Sequence, residues 1–283
     1  MIDPVIFFML SYVSFGVKKM KKNKKRVLLT LASLCMLSSL SIRPVKYKKF
    51  NSALFNDVSF EKSFDDKQLT YFEDVIKPYQ EKVAILNESI NIYSNVYLFD
   101  EEKLTNVLRE KTDLFKMEKL LTMSEKEIRR DSLLVVKDIY KHPANYDIDI
   151  NTIASDKPYE KTMTIRETVK YYSELFDLEP EFVMAIECWE SHYYDCPITT
   201  RHFNPGALVS SKFANLEQGI IGHVTVLRYN YFDKGRDTFA EIEKIYTEDK
   251  GHWLKNVTSI YNSIKNDKIV LYDEKELALV NKK

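Results

Sequence analysis

The chain has 283 residues, with 42 Lys and Arg against 42 Asp and Glu and a formal net charge of zero. A chain of this length can bury a proper core, and the balanced charge gives no global attraction to nucleic acid. Aromatic residues make up 13%, with tyrosine the commonest of them; amphipathic rings suit carbohydrate surfaces and also ordinary helix packing.

The N-terminus carries the sharpest compositional break. Lys18 to Arg26 is a basic run, and Val27 to Ile42 follows without a charge. This is the order of a positive n-region and an apolar h-region, with Met20 placed to be the true start and Ser39 and Ser41 allowing cleavage near Ser41. The Ala-x-Ala pattern is missing, so an uncleaved membrane anchor competes, although the run is short of the roughly 20 residues that span comfortably. Either reading makes residues 1–45 a leader that exports the rest.

Beyond the leader, the chain has no glycine as far as about residue 156. Apolar residues at three- and four-residue spacing predict helices over Gln68 to Lys77, Glu101 to Arg109, Met117 to Leu121 and Glu125 to Tyr140. Asp100 and Ser124 are the expected N-caps, and Pro78 is expected to end or kink the first helix. Residues 46–155 thus read as a helical stalk or packing region without visible chemistry. His142 to Asn145 marks a turn, and Ile148 to Lys157 an irregular connector.

Residues 156–266 form the expected catalytic domain. Thr164, rather than Thr162, is the expected cap of a helix through Tyr171, Tyr172 and Leu175, because Glu167 completes a capping box. Pro180 opens the next helix. Asn204-Pro205-Gly206 is a turn, Leu216 to Tyr231 and Ala240 to Tyr246 are helical, and Trp253 to Ile264 closes the domain. A strand is expected only around Ala207 to Ser210, and the tail 267–283 is unassigned. The fold class is mainly α.

The chemistry centres on Phe182 to Ser191. Val183, Ile186 and Glu190 recur at helical spacing, placing one carboxylate at the end of an apolar helix face. Desolvation there would keep Glu190 protonated near neutrality, as a general acid for a glycosidic oxygen requires. Pairing with Arg201 or Lys212 would instead hold its pKa low. Glu187, one turn earlier, is the runner-up acid, expected to face solvent or to neighbour His192. Ser191 could bond Glu190, a sugar or its own backbone. Gly206 could allow close approach of a glycan and a positive φ, or be a plain turn glycine. Asp195, Glu217 and Asp233 are possible second carboxylates.

Other chemistries have weaker support. Cys188 and Cys196 could pair as a disulfide or remain thiols, with Cys35 lying in the leader. With His192 and His202 they read Cys-x3-His-x3-Cys-x5-His, but structural zinc sites usually begin with a tighter Cys pair, so no metal is expected. A nucleophilic Cys188 with His202 rests on closeness in number alone. Walker-type loops and His-Glu-x-x-His are absent from the sequence, and no cofactor is expected.

With these residues assembled, the segment from about 160 to 265 resembles the lysozyme-like superfamily of peptidoglycan hydrolases: the soluble lytic transglycosylase, goose-type lysozyme and bacterial glucosaminidase group. Ala185-Ile186-x-x-x-Glu190-Ser191 is similar to the Glu-Ser pair that carries the acid in those enzymes. Asn204-Pro205-Gly206-Ala207-Leu208 resembles the Asn-Pro-Gly-Gly-Ile turn, Phe213 to Ile220 the Phe-x-x-Leu-x-x-Gly-Ile segment, and Tyr246 to Val257 the closing Tyr, Trp and Asn-Val pattern. Ala207 stands where a second Gly is usual, and the Gly-Leu-Met-Gln segment of the transglycosylases is missing.

The resemblance implies a lysozyme-like helical catalytic domain that cleaves β-1,4 bonds between N-acetylmuramic acid and N-acetylglucosamine in peptidoglycan strands. Glu190 would act first as acid and then as base, while a group of the substrate replaces an enzyme nucleophile. Ser191, Asn204, Gly206 and Tyr246 are the expected substrate-binding residues, with Tyr229 and Tyr231 as alternatives to Tyr246. The competing reading is a membrane-tethered module, catalytically inactive, that binds glycan or a partner protein.

Overall fold

The computed structural model describes residues 70–271, and its first long helix contains Pro78. Helix α1 runs Lys77–Tyr97 with this proline in its opening turn, directly after a π-helical stretch, Phe72–Ile76, whose last residue keeps helical backbone (φ −71°, ψ −46°). Pro78 therefore does not end the first expected helix; the winding passes from π to α just before it. The leader and residues 272–283 lie outside the described residues, as do Gln68 and Leu69 of the first expected helix.

Chain contacts divide between Asp74 and Val75, and everything below concerns the unit from Val75 onward. Helix α2 (Glu101–Lys111) is capped by Asp100, whose carboxylate accepts the Lys103 N–H at 3.0 Å. After α3 (Met117–Thr122), α4 (Glu125–Lys141) opens with a full capping box between Ser124 and Glu127. Such caps satisfy N–H groups that the helix itself cannot, at about 1 kcal/mol each. The connector then holds a single turn, α5 (Ile150–Ile153), and an isolated antiparallel bridge between Phe99 and Ala154.

Helix α6 (Ile165–Leu175) starts from the Thr164–Glu167 capping box, and α7 spans Pro180–Ser191. A short helix α8 (Pro197–His202), unanticipated from the sequence, precedes the Asn204 turn. Helix α9 (Leu216–Val226) continues through a π-helical turn to Tyr231, and α10 (Phe239–Tyr246) and α11 (His252–Lys265) complete the order. Ala207 to Ser210 is not the expected strand: Ala207 and Leu208 are irregular, and Val209 and Ser210 form a turn. The described residues are mainly helical.

Packing joins the two halves that sequence reading separates at residue 155. Helix α4 lies along α1, and α7 is embraced by α6 and α11. One apolar cluster includes Leu86, Leu108 and Val136 together with Val183, Ile221 and Trp253. At the seam, the Asn215 and Gln218 side-chain amides both donate to the Val96 carbonyl at 2.8 Å. Of the two readings, stalk or packing region, residues 75–155 show packing, in one unit with the later helices. Helices α1 and α4 pack chiefly on each other, and each also touches a later helix, α1 on α9 and α4 on α6.

Candidate functional site

Helix α7 carries the chemistry, and its position follows from its composition. Phe182 through Cys188 are all buried, so a carboxylate on this helix lies inside the core or at its edge. Glu187 is 0% exposed, with Oε1 at 2.9 Å from His223 Nδ1 and Oε2 accepting from the Tyr194 hydroxyl. Against the expectation that Glu187 faces solvent or neighbours His192, its two oxygens are taken by His223 of α9 and by Tyr194. Glu190, three residues further on, meets Trp253 of α11 instead.

The end of α7 is held by unusual backbone. His192, Tyr193 and Tyr194 have φ of 48°, 60° and 67°, three successive left-handed residues at roughly 1–2 kcal/mol each. What holds them is Tyr194. Its N–H donates to Ser191 Oγ at 2.8 Å, and its hydroxyl returns to Glu187. The Ser191 hydroxyl in turn donates to the Glu187 carbonyl, and Ser191 is fully buried. Of the three roles considered for Ser191, the backbone bond is the one present, and no sugar can reach it.

Glu190 is half-buried. The Trp253 indole N–H donates to its Oε1 at 2.8 Å. Burial pushes the Glu190 carboxyl above its usual range, while the Trp253 hydrogen bond and the nearby His223 charge pull it partly back. Among the described residues neither Arg201 nor Lys212 pairs with it. The stack behind it is aromatic: Trp253 and Tyr246 have ring centroids 5.6 Å apart, and Tyr246 lies 5.9 Å from Tyr231.

Tyr246 links this cluster to the turn. Its hydroxyl donates to the Gly206 carbonyl at 2.6 Å and lies 3.4 Å from His223 Nε2. Burial, then the charge of Glu190, raises the phenol well above its ordinary value, so it stays protonated. A methyl group built on Gly206 would overlap the His223 ring. Glycine is therefore demanded from inside the protein, by close packing. The positive φ expected at Gly206 falls instead on Ala207, at 48°. Asn204 is 2% exposed, and its amide is consumed by the loop: it donates to the carbonyls of Leu208 (2.8 Å) and Ser211 (3.1 Å) and accepts the Leu208 N–H at 2.9 Å. It shapes the turn instead of facing a substrate.

No family model, curated protein or solved structure matches the chain.

The remaining candidates lie apart from Glu190 in their bonding. Glu217 is buried and accepts from the Tyr159 and Tyr172 hydroxyls at 2.7 and 2.6 Å. Asp233 pairs with Arg228 at 2.9 Å, and Asp195 is exposed. Tyr229 lines a groove of about 320 Å³ with Lys137, Thr225 and Asn230, which does not include Glu190. Cys188 and Cys196 are buried thiols, not joined as a disulfide, and among the described residues no three His, Cys, Asp or Glu side chains gather as a metal site. Cys188 at 0% exposure cannot attack a substrate.

Sequence reasoning missed two residues of this cluster. His223 sits in an apolar helix whose residues Glu217 to Thr225 are all buried, and a lone imidazole in such a run was the available signal. Trp253 was read only as part of a closing pattern, although a 1% exposed indole must place its N–H on an acceptor.

Proposed function

We propose that the protein is an exported glycosidase that cleaves β-1,4 bonds between N-acetylmuramic acid and N-acetylglucosamine in peptidoglycan, with Glu190 as general acid and then base. The observation that carries the reading is the state of Glu190. It is half-buried at the end of an apolar helix, raised in pKa, and steadied by Trp253. A carboxyl so placed keeps its proton to higher pH than an ordinary glutamate, the direction that a general acid for a leaving glycosidic oxygen requires.

The hydrogen bond at the Glu190 carboxyl comes from Trp253, and among the described residues no second carboxylate shares it. Glu187 is fully enclosed. The reading therefore uses one carboxyl: Glu190 donates its proton to the departing oxygen, and the resulting carboxylate accepts a proton from the water or substrate hydroxyl that completes the reaction. The lysozyme-like resemblance supports this route, and so does the Asn204 turn, whose Gly206 carbonyl is tied to Tyr246 beside Glu190.

Export rests on the basic and apolar leader, which lies outside the described residues. No described helix is long and apolar enough to cross a membrane.

Mass spectrometry of soluble products, after the purified protein is incubated with peptidoglycan, tests the proposal. Anhydro-muramyl ends mean lytic transglycosylation, reducing muramic acid a muramidase, and reducing glucosamine a glucosaminidase. Each should vanish in Glu190→Gln. Products that persist in that variant overturn the role of Glu190. The absence of product from the parent protein favours a glycan-binding or partner-binding module without catalysis.

A further inference from the structure

Between α7 and α9 lies a pair the sequence does not announce: Glu187 and His223, both 0% exposed. Tyr246 has one hydroxyl proton, and at 2.6 Å the Gly206 carbonyl takes it, while His223 Nε2 lies 3.4 Å from the same Tyr246 oxygen. On the other side of the ring, Glu187 Oε1 lies 2.9 Å from Nδ1, and the second Glu187 oxygen accepts from Tyr194. The imidazole is thus fixed through both of its nitrogens, one toward the carboxyl on α7 and one toward the phenol on α10.

We infer that the Glu187–His223 pair is the positioning unit of the Glu190 site: it holds Tyr246 and the Gly206 carbonyl in place and, through Tyr246, the Trp253 indole that donates to Glu190. Tyr246 and Gly206 are linked to each other, and to the imidazole by the 3.4 Å contact and by a packing so close that Gly206 has no room for a side chain. On its other side Tyr246 lies 5.6 Å from Trp253 between ring centroids, and the Trp253 indole N–H donates to Glu190 Oε1 at 2.8 Å. The titratable groups facing Glu190 are His223 from α9 and Tyr246 from α10, with Glu187 one turn back on α7, and the Trp253 bond and His223 both favour the ionised Glu190 carboxylate, opposing burial. Both members of the pair are fully enclosed, and leaving either without its partner is costly, which suits a fixed element.

This inference rests on the reading of Glu190 as the acid, but its test does not need turnover. The Glu190 carboxyl is titrated by carbon-13 NMR in the full chain, in the parent and in Glu187→Gln, His223→Gln and the paired variant. In Glu187→Gln the amide oxygen still accepts from Nδ1, but the imidazole loses its carboxyl partner, and in His223→Gln Tyr246 loses its ring contact. Either change loosens the packing of Tyr246 on Trp253 and so weakens the indole bond that favours the ionised carboxylate. The Glu190 midpoint is expected to rise by roughly half to one pH unit in both single variants and in the pair.

Activity supplies the second readout. If the protein turns over peptidoglycan, the alkaline limb of its pH profile should move up by the same amount, with kcat reduced about tenfold or more and KM changed less. A titration that moves in a protein without turnover supports the pair's role and defeats the glycosidase reading. A Glu190 midpoint unchanged in folded variants overturns the inference, whatever the activity. The paired substitution covers the case in which a single variant fails to fold, because it leaves neither buried partner without the other and nearly keeps the volume.

Discussion

The indole N–H of Trp253 donates to Glu190 Oε1 at 2.8 Å across the α7–α11 interface. One side chain thus closes the core and steadies the carboxyl from which the chemistry is proposed to start. Trp253 is 1% exposed, so its ring answers to packing while its single polar atom answers to Glu190.

Replacing Trp253 with Phe separates these roles. The bond to the ionised carboxylate is lost, so Glu190 should titrate at higher pH than in the parent, read by carbon-13 NMR. The smaller ring leaves a void, and denaturant unfolding should show a loss of about 1–3 kcal/mol. An unchanged Glu190 titration in this variant would show that the hydrogen bond does not bear on its proton.

For Glu190→Gln the expected loss of peptidoglycan cleavage is at least about 100-fold, with far-UV circular dichroism unchanged. The pH dependence of stability has a definite sign. The folded-state pKa of Glu190 is raised, so its contribution to stability is fully present below the unfolded value and is lost as pH rises through the folded one. The glutamine variant should therefore lose less stability than the parent between acidic pH and neutrality, as measured by urea unfolding across that range.

Two neighbouring residues in the turn should respond in opposite directions. Gly206→Ala drives a methyl group into the His223 ring and should cost about 1–3 kcal/mol. Ala207→Gly relieves a left-handed residue at φ 48° and should gain up to about 1 kcal/mol. Thermal unfolding of both variants decides the matter, and a stabilised Gly206→Ala would contradict the packing described.

Lys137 offers a pH signature remote from Glu190. Its amine donates to the Thr225 hydroxyl, and burial, assisted by Lys141, pulls its pKa down to about 8. A depressed folded value means that the unfolded chain binds the extra proton, so stability should climb as pH rises from about 8 toward the ordinary lysine value near 10.5. Lys137→Met should flatten that climb, which is worth on the order of 1–3 kcal/mol. Chemical denaturation at several alkaline pH values measures it.

Local signals carried much of the fold. Asp100, Ser124 and Thr164 cap the helices their side chains announce, because an N-cap bonds within three residues and needs no tertiary partner. Pro180 opens α7 for the same local reason. Pro78 shows the limit: the residue alone is compatible with ending or kinking a helix, whereas in the structure helical backbone passes from the π-helical stretch Phe72–Ile76 through it into α1.

The sequence by itself determined a mainly helical chain and put Glu190 at the end of an apolar helix, because helical periodicity and capping are written within a few residues of one another. Only the tertiary structure decided that Glu187 turns inward to His223, 36 residues away, that Gly206 is glycine because an imidazole lies against it, and that Trp253 reaches Glu190 across 63 residues. Residues 75–155 join the same core for a related reason. Burial of an apolar face is a property of what covers it, and the covering groups come from distant parts of the chain.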